Sequence, residues 1–150
     1  MKLFEIYQDE EKFVQLHEMR VLSDEAVTIS DADCAASFVR EKLSVGRLAT
    51  EHVYVLCLSN VCELLAVVFI SAGSNRQAVV PVDKVFQAVL LTNATSLVIV
   101  HNHPSGDCTP SKLDRESTEH LVEVGQLLGL PVLDHLIVSD KDFYSIGGKL

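Results

Sequence analysis

The sequence predicts a single α/β domain of the α+β kind, in which a mixed sheet is flanked by helices. The chain has 150 residues, which is enough for one compact domain but short for two domains of typical size. Hydrophobic residues make up 48% of the chain, so it can bury a core and is not largely disordered. Segments with the pattern of buried strands alternate with segments of helical periodicity, which predicts strands and helices in one layered fold.

The first 29 residues are predicted to be an N-terminal extension, and their pattern is the weakest in the chain. Residues 3–7 predict a short strand, residues 8–20 a helix and residues 21–29 an extended segment.

The main domain is predicted to span residues 30–150, because the local signals become stronger from Ser30 onward. Ser30 and Asp33 have the spacing of a capping box and predict the start of a helix. This helix is expected to continue to about residue 43 and to end near Gly46.

Two apolar runs, residues 53–58 and 64–70, predict neighbouring strands in a hairpin with a turn at Asn60. Residues 72–75 predict a second turn, and residues 78–80 predict a short strand.

A helix is predicted over residues 81–93, with Pro81 as its first residue and apolar side chains at helical spacing. Residues 96–100 are wholly apolar apart from a serine and predict a buried strand. Residues 101–110 then form a loop that two prolines and a glycine stiffen.

Ser111 is predicted to open a long helix that ends at Gly129. Its core face is expected to carry residues at helical spacing, namely Leu113, Ser117, Leu121, Val124 and Leu128. Residues 132–138 and 143–146 predict the last two strands.

The charge balance disfavours a nucleic-acid partner. Lysine and arginine number 12 against 21 aspartates and glutamates, a net charge of −9, and no basic cluster is visible. An acidic chain is better suited to a divalent cation. Neither a membrane helix of about 18 apolar residues nor a secretory signal is recognisable, so we expect a cytoplasmic protein with no membrane partner.

The four cysteines are scattered, without a Cys-x-x-Cys pair, and no disulfide is expected in a reducing compartment. Cys57 and Cys62 are predicted to be small buried hydrophobic residues.

The residues that indicate chemistry lie between His101 and Asp114. His101 and His103 follow a predicted strand two residues apart, so their side chains point to the same side. Asp114 is the third residue of the next predicted helix, and side chains in a first helical turn point back toward the preceding loop. Two imidazoles and one carboxylate suit zinc, with a fourth position left for water, as in catalytic zinc sites.

Each part of this pattern also has a simpler interpretation. A His-x-His pair on a loop is often only a surface feature. Ser111 and Asp114 together match an ordinary capping box, and a carboxylate is favoured at a helix start by the helix dipole.

The spacing of His101, His103, Ser111 and Asp114 resembles the metal-binding core of the JAMM (MPN-plus) metalloprotease-like family. The string HNHPSGDCTPSKLD resembles the bacterial RadC branch of this family, and LTNATSLVIVHNHPSG and LLGLPVLDHLIVSD extend the similarity. The resemblance covers roughly residues 30–147. It implies a JAMM/MPN-type fold, whose layout is comparable to that of the cytidine deaminases.

The resemblance implies a zinc-dependent hydrolase of the metallopeptidase or isopeptidase type. One Zn²⁺ per chain would be held by His101, His103 and Asp114, and the ligands would also accept iron or manganese. Eukaryotic relatives cleave peptide or isopeptide bonds, so the expected partner is a protein or peptide substrate.

The resemblance also implies two catalytic residues. Glu51, in the string EHVYVLCLS, matches the family's general base, and Glu63 at the head of the next apolar run is the alternative. Ser111 would hydrogen-bond the reacting water or the developing oxyanion, a role compatible with capping the helix.

Three further residues have open interpretations. Asp134 and His135 match an Asp-His pair of the family, and they either help to order the site or are ordinary buried strand residues. Cys108 lies in the metal loop and could bind metal as a thiolate, but we expect it to face solvent.

The sequence departs from the RadC pattern in three respects. No helix-hairpin-helix region is recognisable before residue 53, Asp83-Lys84 replaces an Arg-Glu pair, and Gly73-Ser74 replaces Gly-Thr. The first departure weakens any expectation of DNA binding. Two alternatives stay open: a DNA-repair-associated or nuclease-accessory protein, and a non-catalytic binding module that keeps a metal for stability.

Overall fold

The computed structural model describes residues 1–73, 80–148 and 150. Over these residues it shows a seven-stranded mixed sheet and three α-helices, which confirms the predicted fold class. The strands are β1 (Lys2–Gln8), β2 (Val14–Val21), β3 (His52–Leu58), β4 (Leu64–Ala72), β5 (Ser96–His101), β6 (Val132–Val138) and β7 (Phe143–Ser145). The helices are α1 (Ala32–Leu43), α2 (Val82–Leu91) and α3 (Lys112–Leu128), and a 3-10 turn covers Val45–Arg47.

The strand order in the sheet is β2-β1-β4-β3-β5-β6-β7. Strand β3 pairs antiparallel with both β4 and β5, which confirms the predicted hairpin. Strand β5 pairs parallel with β6, and β1 pairs parallel with β4. Strand β5 is an interior strand between β3 and β6, so the residues that follow it lie beside the ends of these two strands.

Strands β3 and β5 are buried on both faces, which explains their nearly continuous apolar sequences. Val98 and Val100 of β5 belong to the apolar cluster that contains α1 residues. Leu97 and Ile99 belong to the cluster on the other face, with residues of α2 and α3. Because side chains alternate along a strand, His101 lies on the face that α3 covers.

The predicted helix over residues 8–20 is wrong. The chain instead forms β2, which pairs antiparallel with β1 as an edge hairpin, while the predicted strand at 3–7 is confirmed as β1. Only Leu16 of β2 is even partly buried, so the strand leaves no alternating apolar pattern in the sequence. Between residues 22 and 29 the structure has an isolated bridge from Thr28 to Glu63 rather than a strand, and the division of the chain at residue 30 stays a prediction.

Helix α1 begins one residue later than predicted, whereas its end at about residue 43 is confirmed. Its N-cap is Asp31 rather than Ser30, because the Asp31 carboxylate accepts a hydrogen bond from the Cys34 backbone N–H at 2.7 Å. The helix ends at Leu43, before Gly46, because Ser44 adopts a left-handed conformation with φ of 55°.

Helix α2 begins at Val82, with Pro81 as its N-cap, and ends at Leu91, slightly inside the predicted range. The predicted strand at 78–80 and the turn at 72–75 lie partly outside the described residues. Val80 itself is not in a strand, and the last strand ends at Ser145.

Helix α3 has the predicted capping box at Ser111 and the predicted C-cap at Gly129, where φ is 69°. Its predicted core face is wrong in detail. The buried residues are Asp114, Thr118, Leu121 and Gly125. Leu128 is exposed. Near its N-terminal end the helix buries two polar side chains, those of Asp114 and Thr118. A core face predicted from apolar residues alone is therefore displaced by about one residue from the face that is buried.

The four cysteines are free thiols, as expected. Cys57 is buried, and burial raises the pKa of its thiol to about 12, so it is unreactive at neutral pH. Cys62 is only partly buried. Among the described residues, no helix is both long enough and apolar enough to cross a bilayer.

Candidate metal centre

Four side chains from different parts of the fold converge at one end of β5. Glu51, His101, His103 and Asp114 each contribute a ligand atom, and these atoms all lie within 4.8 Å of one another. Glu51 directly precedes β3, His101 ends β5, His103 lies in the following loop, and Asp114 lies in the first turn of α3. The structure therefore brings together the predicted metal ligands and the predicted base.

The distances within the cluster fit a single small metal ion. The Nε2 atoms of His101 and His103 are 3.1 Å apart. The Asp114 carboxylate places Oδ1 at 3.4 Å from His101 Nε2 and Oδ2 at 3.5 Å from His103 Nε2. Zinc bonds of about 2.0–2.1 Å in a tetrahedron separate neighbouring ligand atoms by about 3.3–3.4 Å. The two ring nitrogens and the two carboxylate oxygens of Asp114 are therefore close enough to one another to hold one metal ion.

Glu51 lies slightly farther from His101 than Asp114 does. Its Oε1 is 3.8 Å from His101 Nε2, and the residue is only 7% exposed. Glu63, the alternative base, is exposed and lies at the opposite end of β3, beside the strand pair Leu58–Leu64. Of the two glutamates, only Glu51 belongs to the cluster.

The Asn102 side chain, between the two histidines in sequence, hydrogen-bonds to the backbone on either side of Glu51. This residue was not identified from the sequence. Its buried side chain accepts a hydrogen bond from the His52 backbone N–H at 2.9 Å and donates one to the Thr50 carbonyl at 3.1 Å. These two backbone groups flank Glu51. The available signal was strand alternation, which predicts that the Asn102 side chain points to the opposite side from those of His101 and His103.

The N-terminus of α3 holds the Asp114 carboxylate in place. Its Oδ2 accepts hydrogen bonds from the Ser111 backbone N–H at 2.7 Å and from the Ser111 hydroxyl at 2.6 Å. Burial alone would raise the pKa of Asp114, but hydrogen bonds from His103 and Ser111 outweigh it and hold the pKa well below the usual range. The carboxylate is therefore charged at neutral pH, and the Ser111 hydroxyl acts both as helix cap and as its donor.

The two histidines differ in how readily they take a proton. Burial lowers the pKa of His101 to about 4, so its ring is neutral at pH 7. The hydrogen bond with Asp114 raises the pKa of His103 above its ordinary value of 6.5. At neutral pH the His101 ring is therefore free to bind a metal ion, whereas His103 has to release a proton before it can do so at any pH below its raised pKa.

If the cluster binds zinc through His103, its zinc affinity is expected to fall as the pH is lowered through the raised pKa of that residue. A proton and a metal ion compete for the same lone pair on Nε2. Affinity should fall about tenfold for each pH unit below that pKa, and more steeply only when His101 titrates near a pKa of about 4. Competition with a chromophoric chelator between about pH 5 and pH 8 measures this. An affinity that is constant over this range would contradict a role for His103 as a ligand.

The Asp134 side chain binds the C-terminal turn and is not part of the cluster of potential metal ligands. Its carboxylate accepts hydrogen bonds from the Ser145 hydroxyl at 2.7 Å and from the Gly147 backbone N–H at 3.0 Å. The neighbouring His135 faces the other way, and its Nε2 lies 2.8 Å from His101 Nδ1. Of the Asp-His pair, only His135 contacts the site.

Cys108 is partly buried, and its Sγ donates to the Asp142 carbonyl at 3.5 Å. It is not part of the cluster of potential metal ligands. The thiol is therefore turned toward the loop between β6 and β7.

A mixed sheet with two histidines at the end of a central strand, and an aspartate in the next helix, defines a JAB/MPN-type domain with a candidate metal centre. Comparison with known families leads to the same class, because the RadC-like JAB domain matches residues 29–149. The chain belongs to this family, as the resemblance in its sequence predicts.

The chain is similar to several proteins named UPF0758. One from Caldanaerobacter subterraneus is 45% identical over 102 residues, which is 68% of this chain and 44% of the relative. One from Finegoldia magna is 35% identical over 122 residues, which is 81% of this chain and 54% of the relative. One from Bacillus cereus is 39% identical over 120 residues, which is 80% of this chain and 52% of the relative. The chain thus spans about half the length of the curated relatives it matches.

Proposed function

We propose that this protein is a zinc-dependent hydrolase of amide bonds, of the metallopeptidase or isopeptidase type. The convergence of Glu51, His101, His103 and Asp114 within 4.8 Å is the observation that carries the proposal. Membership of the JAB family, which includes metal-dependent hydrolases, supports it. A protein or peptide in the cytoplasm is the proposed substrate.

His101, His103 and Asp114 are the proposed zinc ligands. Zinc is favoured among divalent metals because two imidazoles and one carboxylate form a common catalytic zinc set. A bound zinc ion supplies a Lewis acid, which lowers the pKa of water and polarises a carbonyl group. Three protein ligands leave a position open for exchange, which a purely structural zinc site does not have.

Glu51 is the proposed general base and, later in the reaction, the general acid. It takes a proton from the attacking water, whose oxygen forms a bond to the amide carbon. The carbon–nitrogen bond then breaks as Glu51 returns the proton to the leaving nitrogen. Its Oε1 lies 3.8 Å from His101 Nε2, so the carboxylate is next to the proposed zinc ligands.

Ser111 is the proposed donor to the oxyanion that develops on the amide carbonyl. Its hydroxyl oxygen lies 2.6 Å from Asp114 Oδ2, to which it donates, and rotation of the hydroxyl can redirect the hydrogen to a substrate oxygen.

Replacement of Ser111 with alanine is expected to affect stability and turnover separately. The lost cap costs about 1 kcal/mol of unfolding free energy, and the lost oxyanion donor lowers kcat by about 10²- to 10³-fold. Asp31→Ala is the matched control, because it removes the cap of α1 outside the cluster. Urea unfolding and steady-state kinetics measure the two effects. Equal kcat in both variants would leave Ser111 with the capping role alone.

A screen of peptide and isopeptide substrates with the zinc-loaded protein tests the proposed activity. Cleavage by the wild type and its loss in Glu51→Gln support the proposal. Absence of cleavage across the screen, in protein that holds zinc, would favour a non-catalytic binding module. Tight DNA binding at physiological salt would favour the nucleic-acid alternative, which the net charge of −9 makes the weaker one.

A further inference from the structure

Two buried polar residues, Thr118 and His135, connect to the metal centre from behind. Thr118 lies on α3 one turn after Asp114 and is 5% exposed, and His135 lies on β6 and is fully buried. The Thr118 hydroxyl is 2.6 Å from the Asp114 carbonyl oxygen and 2.6 Å from His135 Nδ1. The other nitrogen of His135, Nε2, is 2.8 Å from His101 Nδ1. A continuous chain of hydrogen bonds therefore reaches a proposed zinc ligand.

The direction of each hydrogen bond in this chain follows from the chemistry of its members. A carbonyl oxygen can only accept, and a hydroxyl has a single hydrogen, so Thr118 donates to the Asp114 carbonyl. The hydroxyl oxygen must then accept from His135, which places the hydrogen of that ring on Nδ1.

The position of the hydrogen on His135 also determines the position of the hydrogen on His101. A neutral imidazole has a hydrogen on only one nitrogen, so His135 Nε2 is an acceptor. His101 must then hold its hydrogen on Nδ1 and donate it to His135. This leaves the lone pair of His101 on Nε2, the atom that faces His103 and Asp114.

We infer that Thr118 and His135 are positioning residues that fix the tautomer of His101 and so keep its Nε2 lone pair directed at the metal centre. His103 is held differently, because its Nδ1 contacts the Asp107 carbonyl within its own loop at 2.8 Å. The consequence for metal binding rests on the proposed function, whereas the tautomer of His101 is a property of the metal-free chain.

The pair of variants Thr118→Val and Thr118→Ser separates the hydroxyl from the shape of the side chain. Valine keeps the volume and removes the hydroxyl, so His135 Nδ1 loses its acceptor. The buried ring is then expected to move its hydrogen to Nε2, because an unsatisfied buried N–H is costly. His101 must in turn carry its hydrogen on Nε2, where it blocks a metal ion. Serine keeps the hydroxyl and loses only the methyl group.

Nitrogen-15 NMR of the imidazole rings in the metal-free protein is the first readout. In the wild type and in Thr118→Ser, His101 is expected to be protonated on Nδ1, and in Thr118→Val on Nε2. The tautomer of His103 is the internal reference and should be the same in all three proteins. An unchanged His101 tautomer in Thr118→Val, or an equal change in Thr118→Ser, would overturn the inference.

Zinc affinity, measured by chelator competition, is the second readout. Thr118→Val is expected to bind zinc roughly 10- to 100-fold more weakly than the wild type, as for other residues that orient a metal ligand. Thr118→Ser should retain wild-type affinity. If the wild type shows the expected tautomer but binds no zinc, the proposed function fails and the inference stands. If the wild type binds zinc and Thr118→Val binds it equally well, the inference fails and the proposed function stands.

Discussion

Glu51→Gln is expected to lower kcat for amide hydrolysis by about 10²- to 10⁴-fold, the contribution typical of a general base. Glutamine has the same shape as glutamate and can still hydrogen-bond water, but it cannot take up the proton. Zinc content should be unchanged, because His101, His103 and Asp114 have the ligand spacing without Glu51. Steady-state kinetics on a substrate from the screen, with metal analysis of the same samples, measures both quantities.

Glu63→Gln is the matched control for this experiment. Glu63 heads the neighbouring strand but is exposed and lies at the far end of β3, so its replacement should leave kcat at the wild-type value. Glu51→Gln that hydrolyses as fast as the wild type would show that Glu51 is not the base. A loss of activity in Glu63→Gln alone would transfer the role to that residue.

Removal of a proposed zinc ligand is expected to cause a large loss of zinc affinity. His101→Ala is expected to weaken zinc binding by more than about 100-fold, beyond the loss caused by residues that only orient a ligand. Zinc that binds only the folded state stabilises the wild type by about 2.7 kcal/mol at a free concentration of 100 times Kd. His101→Ala should show no such stabilisation, and thermal unfolding with and without zinc measures the difference.

His103→Ala and His120→Ala complete this comparison. His103 is only partly buried, so its removal disturbs the core less than removal of His101 while it also deletes a ligand. His120 lies on the exposed face of α3, near Glu123, and should be neutral for zinc. Retention of zinc-dependent stabilisation in both His101→Ala and His103→Ala would place the metal elsewhere.

The sequence predicted the central strands well because burial on both faces produces an unmistakable pattern. Residues 53–58 and 96–100 are almost entirely apolar, and both form strands with buried side chains on each face. Strand β2 has no such pattern, since it is an edge strand whose side chains are nearly all exposed. Its identity depends on the free edge of β1, a partner that local periodicity cannot reveal.

The candidate site was predictable where its members are close in sequence. His101, His103 and Asp114 span a single strand, loop and helix start, so strand alternation and first-turn geometry sufficed to bring them together. Glu51 required the family resemblance, because a charged residue before a strand is otherwise expected to be solvated.

Of the residues behind the site, His135 was a candidate through the family resemblance, but Thr118 and the contact between the two were not predictable, because that contact depends on tertiary packing. Thr118 and His135 meet across 17 positions of sequence, through the packing of α3 on β6. The inward turn of Asp114 and Thr118 also explains why the apolar stripe predicted for α3 was displaced. Polar residues that face a site interrupt the very pattern from which helix orientation is inferred.

Anomalous diffraction at the zinc absorption edge, from crystals of the zinc-loaded protein, tests the central claim most directly. We predict one zinc ion per chain, bound to the Nε2 atoms of His101 and His103 at about 2.0–2.1 Å and to an Asp114 oxygen at about 2.0–2.2 Å. An ion bound at other residues, or the absence of an anomalous peak at these three side chains in zinc-saturated crystals, would contradict the account.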